Sequence, residues 1–406
     1  MHLFHTTHQS TVQIDLGAIN HNCCQISNHV GSDCDLCAVI KQDGYGLGAS
    51  RVSSVLSKHA NLLAVYGPDE AGDLLVEGGW NTPILILAPV YSVDRFHPVF
   101  QGISTGLVHF VVHGDHHLES LGEQSDRCAK KLNIQVKIDT GLHRAGCELS
   151  KAKMLIEKVQ RDRRFELTGV LTHFSSAVDD EQLTKLQHDR FDQVIHTLST
   201  PLSTNCVLHE ANTAATVQWK WTHRDMVRVG LAWLGSVPNG VCHEIDFRPV
   251  IAWRSRLAHV RKVEVGERVG YSGKWSASRS SSIGNVPVGY ASGFPMGVGT
   301  DGNCECAYVR VFDNKFDNLL GEAPVVGSVC MDQISIDLTD VSGSGVGCGI
   351  ELISADITSK SSLEYLAKIA GVVPHAIVSR ISPKVHRSYL SSNANLDTVS
   401  IHRKHA

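Results

Sequence analysis

The chain has 406 residues, 42% of them hydrophobic and 19% charged, with a formal net charge of −4. Those values suit a soluble globular enzyme of two domains. They offer no basic tract for nucleic acid or an anionic membrane and no run near the roughly 18 apolar residues of a membrane span. The opening Met1–His8 lacks a basic-then-apolar leader. The twelve cysteines are scattered, with Cys23 and Cys24 adjacent, and read as reduced thiols of a cytoplasmic protein rather than a disulfide framework. None of the 23 histidines falls in an HExxH spacing, so no metal is expected.

In chain order, residues 1–11 read as an unstructured lead-in. The alternation Val12-Gln13-Ile14-Asp15-Leu16 predicts a short strand, and Ala18–His29 a helix. Apolar, β-branched runs then recur at Leu36–Lys41, Leu62–Tyr66, Pro83–Ala88, Val108–Val112, Ile134–Ile138, Leu167–Thr172, Cys206–His209 and Val227–Leu231. Stretches with helical spacing, such as Pro68–Glu77 and Lys151–Gln160, separate them. Eight strands alternating with helices predict parallel βαβ units, and that number in about 200 residues matches a (β/α)8 TIM-type barrel; a doubly wound sheet is the alternative that periodicity leaves open. Beyond residue 248 the chain turns β-rich and turn-rich: Val250–Val265, Ser282–Val288, Tyr308–Phe312, Pro324–Val329 and Ile334–Leu338, with an exposed loop or hairpin tip within Asp301–Leu320 and a helix at Ser362–Ala370. The expected organisation is a barrel over 12–248, a mostly β C-terminal domain over 249–390 and a frayed tail over 391–406.

In such a barrel the chemistry sits at the C-terminal ends of the strands. Lys41 ends the first of them, ahead of the Gly-rich turn Gly44-Tyr45-Gly46. A lysine there is desolvated, which lowers its pKa and makes it a better amine nucleophile towards a carbonyl. The later strand ends carry Lys137-Ile138-Asp139-Thr140-Gly141-Leu142-His143-Arg144, Thr172-His173-Phe174 and His209-Glu210-Ala211-Asn212-Thr213, and Arg228 lies on the last strand. Any one of these could be structural; together they exceed what turns need. Asn212, Thr213 and Gly230-Leu231 suit an anion held by backbone N–H groups, although Asn212 and Thr213 equally suit a plain helix N-cap. A phosphate site and a reactive lysine on one barrel face suggest pyridoxal 5′-phosphate held as a Schiff base.

These blocks, with Val269-Gly-Tyr271-Ser-Gly, Val286-Pro-Val-Gly-Tyr290-Ala-Ser-Gly-Phe294 and Val329-Cys-Met331-Asp-Gln333, resemble the alanine racemase family of fold-type III pyridoxal-phosphate enzymes from about Val12 to Arg387. The resemblance implies that Lys41 anchors the cofactor and is the base on one face of the substrate Cα. Tyr271, supplied by the partner subunit of a homodimer, is then the acid/base on the other face, with His173 and Arg144 beside its phenol. It further implies that Lys137 can be carbamylated to orient Arg144, that Arg228 bonds the pyridine nitrogen, and that Tyr45, Thr213, Gly230 and Leu231 hold the phosphate. Tyr290 and the Met331 backbone N–H would meet the substrate carboxylate. Two groups on opposite faces are what a racemisation needs.

The sequence departs from the family's pattern at Gln42, Asp43, Gly44 and Leu47, at Met296 where an arginine is usual, and at Pro383 where the family carries a pocket-lining tyrosine. These changes leave serine or a broader substrate range as an alternative to alanine. A decarboxylase of the same fold type would carry an acidic residue in place of Arg228, a non-catalytic cofactor-binding barrel would lack the second domain, and a zinc-dependent relative would need a metal pair that His386 and His402 do not supply.

Overall fold

The computed structural model describes residues 9–77, 81–302 and 304–391. They divide into two compact units, one spanning Ile19–Phe247 and the other formed by the residues up to Ala18 together with those from Arg248 onward.

The first unit is the barrel. After β1 (Ser10–Asp15) and the helix Leu16–Val30 come β2 (Asp35–Val39), β3 (Leu62–Val65), β4 (Ile84–Ile86), β5 (Val108–Val112) and β6 (Leu132–Asp139). The two-residue β7 (Cys147–Glu148), β8 (Phe165–Leu171), β9 (Val207–His209) and β10 (Met226–Val229) follow. Eight of these lie in the order β10-β2-β3-β4-β5-β6-β8-β9, every neighbouring pair parallel, with β7 paired to β6 outside that path. The two edges meet where Asp225 N donates to Leu208 O at 3.1 Å and Arg228 N to Ala211 O at 2.9 Å. Helices such as Pro68–Glu77, Asp115–Cys128, Leu149–Arg161 and Glu181–His196 connect the parallel strands. Inward-pointing Cys37, Leu62, Ala64, Leu85, Val111, Leu171 and Met226 pack the interior, so the barrel is a filled core and not a pore.

The second unit adds β11 (Ile251–Arg256), β12 (His259–Val263), β13 (Arg268–Val269), β14 (Trp275–Ser276), β15 (Ser281–Val286), β16 (Tyr308–Phe312), β17 (Leu319–Val326), β18 (Ile334–Asp337), β19 (Gly349–Ile353) and β20 (His386–Leu390). Nine strands form one sheet in the order β12-β15-β18-β17-β16-β19-β11-β1-β20, and β13 pairs with β14. Three sequence expectations shift. Ser10 and Thr11, read as lead-in, belong to β1, and β1 does not head the barrel: it pairs antiparallel with β11 and parallel with β20. The single run Val250–Val265 breaks at Leu257-Ala258 into two strands. The expected hairpin tip is the turn 313–318 between β16 and β17, fixed by Asp313 Oδ1 accepting from Lys315 N and Asp317 N, both at 3.0 Å. The expectations of an unstructured start and a frayed tail fall chiefly on residues 1–8 and 392–406, which lie outside the described residues.

All twelve cysteines are free. Cys34 and Cys37 stand in a Cys-x-x-Cys spacing, but burial pushes their thiols up to about 11 and about 12, well away from the range of reactive thiolates.

Candidate active site

The C-terminal rim of the barrel gathers the polar residues. Lys41 follows β2 and opens a turn of unusual hand: Gln42, Asp43, Gly44 and Tyr45 all have φ between 55° and 62°, a left-handed helical turn. Side-chain bonds hold this turn. Glu70, in the first turn of Pro68–Glu77, accepts from Gln42 N at 2.5 Å and Tyr66 N at 2.6 Å, and Asp43 Oδ1 accepts from Ala49 N at 2.8 Å. The Lys41 amine is held below its ordinary pKa, chiefly by burial and then by the Arg144 charge, with Glu70 opposing.

The left-handed turn delivers the Tyr45 ring inward, 7% exposed and stacked on Trp233 at 5.8 Å; Trp233 is itself fixed by donating from Nε1 to Val39 O at 2.9 Å. Burial pushes the Tyr45 phenol above its usual range. Its Oη lies where a side chain on Gly230 would begin: a Cβ there would stand 2.1 Å away. Gly230 N donates to Thr213 Oγ1 at 3.3 Å. Tyr45, Thr213 and Gly230 therefore meet in one cradle. Asn212 is occupied differently: its Oδ1 accepts from Ala215 N at 3.1 Å, the N-cap of the helix Thr213–Gln218, so its side chain shapes the cradle by ending the helix there.

Arg228 is the centre of the rim. It is 5% exposed and bonds only neutral acceptors: Nη1 to His209 O at 2.9 Å and His209 Nδ1 at 3.2 Å, and Nη2 to Thr172 O at 2.6 Å, His173 Nδ1 at 3.2 Å and Glu210 O at 3.2 Å. The Nε–H takes no acceptor among the described residues. Burial pulls the guanidinium down to about 10, which leaves it protonated at neutral pH. Burial, and after it the Arg228 charge, pushes His173 and His209 far below the ordinary imidazole range, so both are neutral. His173 accepts on Nδ1, which leaves its proton on Nε2.

Lys137 leaves β6 into the same crowd of cations: burial, Arg228 and Arg144 together bring its amine down to about 8. The loop that carries Arg144 is ordered by Asp139 Oδ1, which accepts from Gly141 N and His143 N at 3.0 Å each. Helix Glu181–His196 braces the loops after β6 and β8: Gln187 Nε2 donates to Thr140 Oγ1 at 3.3 Å and to His173 O at 3.4 Å, and Arg190 to Thr140 O at 2.9 Å. Four cations (Lys41, Lys137, Arg144 and Arg228) thus all bear on His173 at one face, which suits a small ligand bearing phosphate or carboxylate groups. Sequence reasoning missed Gln135, Glu70, Gln187 and Trp233 as contributors, and quoted His209 in a strand-end block without giving it a role. For Gln135 a signal existed: a polar residue two before Lys137 on a strand, hence on the same inward face.

Within the second unit, Tyr271 lies in a short 3-10 turn after β13 and is 75% exposed, Tyr290 is 38% exposed and Met331 54%. The Met331 segment packs under the Tyr290 turn: Ala291 N donates to Met331 O at 2.9 Å and Tyr290 N to Cys330 O at 3.0 Å. The sequence-predicted residues therefore form two groups, each ordered within its own unit.

A parallel barrel with a lysine after its first strand, a cation-rich rim and a β-rich second unit defines a class of two-unit barrel enzymes. Residues 14–238 match the family model of the alanine racemase N-terminal domain and residues 250–389 that of the C-terminal domain. The alanine racemase of Halothermothrix orenii is 31% identical over 392 residues, covering 94% of this chain and 97% of its own, and that of Methanococcus maripaludis 29% identical, covering 95% and 99%. Among solved structures, alanine racemase from E. faecalis superposes with a TM-score of 0.81 at 28% identity over 94% of this chain and 98% of its own. The enzyme from D-cycloserine-producing Streptomyces lavendulae gives 0.80 at 27% over 95% and 98%. The chain belongs to the alanine racemase family; it is an amino-acid racemase, an isomerase.

Proposed function

We propose that this chain interconverts L- and D-alanine with pyridoxal 5′-phosphate, as a homodimer in the cytoplasm whose active sites each draw on both subunits. The observation that carries the reading is Arg228: a buried cation pinned by five neutral acceptors with one N–H unspent, on the same rim as a lysine whose pKa is lowered. The residues fit the cofactor. Tyr45, Thr213, Gly230 and Leu231 would hold its phosphate, in a cradle that a Cβ on Gly230 would fill. Arg228 would donate to its ring nitrogen, and Lys41 would bind it covalently. When bound, pyridoxal phosphate supplies an electron sink that stabilises the carbanion left when Cα loses its proton.

The chain's own groups do the proton work. A lysine with a lowered pKa is a competent base near neutral pH, so Lys41 takes or returns the Cα proton on one face. Tyr271 of the partner subunit serves the other face. A free phenol has a pKa near 10, so it needs a cationic setting to act; Arg144 supplies charge, and neutral His173 offers its Nε2–H. Arg228 keeps its own protons and therefore gives the ring nitrogen a hydrogen bond rather than a proton. Arg144, Tyr290 and the Met331 N–H would orient the substrate carboxylate. Lys137, with an amine near 8, is the lysine that a carbamate would modify to hold Arg144. Pro383, in place of a phenol, and Met296 favour a wider mouth and a second reading in which serine is also turned over.

The test is chiral analysis of purified, cofactor-loaded protein incubated with a panel of L-amino acids. D-alanine formation supports the reading, and D-serine beside it supports the wider mouth; turnover of alanine alone removes the second reading, and no D-product from any amino acid removes both. A Lys41→Ala control should lose both activity and the absorbance of the covalently held cofactor. For the shared site, mixing inactive Lys41→Ala and Tyr271→Phe subunits should restore activity, because a mixed dimer contains one intact site; no recovery would place both residues in the same subunit's site.

A further inference from the structure

One chain of buried polar side chains inside the barrel leads to Arg228 from Gln135, a residue to which the assignments above give no role. Gln135 on β6 is 1% exposed, His209 at the end of β9 is 0% exposed, and Arg228 on β10 is 5% exposed. Gln135 Oε1 lies 3.0 Å from His209 Nε2, and His209 Nδ1 lies 3.2 Å from Arg228 Nη1. A guanidinium can only donate, so His209 Nδ1 must carry the lone pair. The ring is neutral and its single proton is therefore on Nε2, where the amide oxygen of Gln135 receives it. The opposite orientation of the Gln135 amide would aim an N–H at Nε2, force the ring proton onto Nδ1, and set two donors against each other at Arg228.

The backbone is shaped to keep Gln135 in this place. Ile134 pairs with Leu167 and Gln135 with Gly169, which leaves Thr168 as the extra residue of a bulge in β8. Thr168 Oγ1 holds the bulge by donating to Ile134 O at 3.2 Å and meeting His109 Nδ1 at 3.0 Å. The bulge sets Gly169 opposite Gln135, and a Cβ there would come to 3.0 Å from Gln135 Cδ and 3.1 Å from Val207 O. A bulge and a glycine thus make the slot that the amide fills.

We propose that Gln135 is a positioning residue for Arg228: by holding His209 in its Nε2–H tautomer it supplies the guanidinium with a neutral acceptor, pins Nη1, and leaves the Nε–H aimed at whatever ring the site binds. Only this last clause rests on the pyridoxal-phosphate reading. A carboxylate at the same position would instead draw a second proton onto His209 and turn Nδ1–H against Arg228.

The experiment reads His209 directly. In histidine-15N-labelled apoprotein, with the His209 signals assigned by comparison with His209→Asn, the proposal expects Nε2 protonated and Nδ1 bare between pH 6 and 8. Gln135→Leu should let the ring exchange between tautomers; in loaded enzyme kcat should fall about tenfold while KM for the amino acid stays within twofold, the signature of a misplaced group rather than lost substrate binding. Gln135→Glu should show both His209 nitrogens protonated and a larger fall in kcat. A wild-type 15N pattern in Gln135→Leu overturns the proposal; if that variant does not fold, a wild-type pattern in Gln135→Glu does so. Failure of the cofactor reading looks different: wild type, like Lys41→Ala, would show no absorbance of bound pyridoxal phosphate, while the tautomer in the apoprotein would be unaffected.

Discussion

Arg228, His209 and Gln135 are buried to within 5% of completeness, whereas Tyr271 is 75% exposed, Met331 54% and Tyr290 38%. The barrel holds its buried polar groups largely against one another: Arg228 bonds to the ends of β8 and β9, and Gln187 of a bracing helix bonds to Thr140 and His173. The β-rich unit holds its candidate residues on short turns and spends backbone bonds on shape, leaving the phenol of Tyr271 and the side chain of Met331 outside any core. In the proposed homodimer the partner subunit would cover this exposed phenol. In that reading the contrast divides the work: one unit would prepare an electrostatic environment, and the other would lend a group to the partner's site.

Perturbations should separate along that division. The largest effect belongs to Lys41→Ala, which should abolish racemisation and the bound-cofactor absorbance together. Tyr271→Phe should lower kcat by about 10²–10⁴-fold, the range of a lost general acid or base, yet leave cofactor affinity and thermal stability unchanged; a drop in cofactor affinity would return this residue to the barrel's side of the comparison. Gly230→Ala forces the Tyr45 phenol out of the cradle and should weaken pyridoxal phosphate binding about 10–100-fold in an equilibrium titration, from an overpacking cost of roughly 1–3 kcal/mol. Glu70→Ala removes the carboxylate that accepts from Gln42 N and Tyr66 N, and should cost about 2 kcal/mol in denaturant unfolding.

The smallest effect is a pH dependence. Lys137 falls from an ordinary 10.5 to about 8 in the folded protein, so between those values the unfolded chain binds more protons and stability rises with pH. Burying the ammonium therefore costs stability below about 8, and the cost vanishes as pH climbs towards 10.5. Lys137→Met should melt higher than wild type at pH 7 and lose that advantage by pH 10; a gap that does not narrow would mean that the Lys137 amine is already neutralised at pH 7.

The barrel strands were legible because each fully buried strand announces itself as a short apolar run, and Lys41, His173 and Arg228 were legible because charges at the ends or interior of such runs have no structural need to be there. The position of β1 was not. Alternation in Val12-Gln13-Ile14 reports a half-buried strand, but its partners β11 and β20 lie more than 200 residues away, and no local pattern encodes that pairing. Gln135 carried only its place two before Lys137 as a signal: a buried amide reads as an ordinary polar residue until the bulge opposite and the ring beside it are known. Glu70 drew no reading from the sequence, because a carboxylate in a first helical turn is ordinary, and its task on the turn after Lys41 depends on two loops meeting.

The left-handed turn at Gln42–Tyr45 has a consequence for which sequences this position can explore. Each L-residue in that conformation costs roughly 1–2 kcal/mol, and three of the four positions are not glycine. Tolerance there should follow backbone hand rather than polarity or size. In a saturation library selected only for folded protein, Gly and Asn should be enriched at 42 and 43, and Val, Ile and Thr depleted even though neither side chain is buried. Lys41 is thus followed by a stretch whose mutational freedom is set by dihedral angles, a filter that acts before any substrate is present.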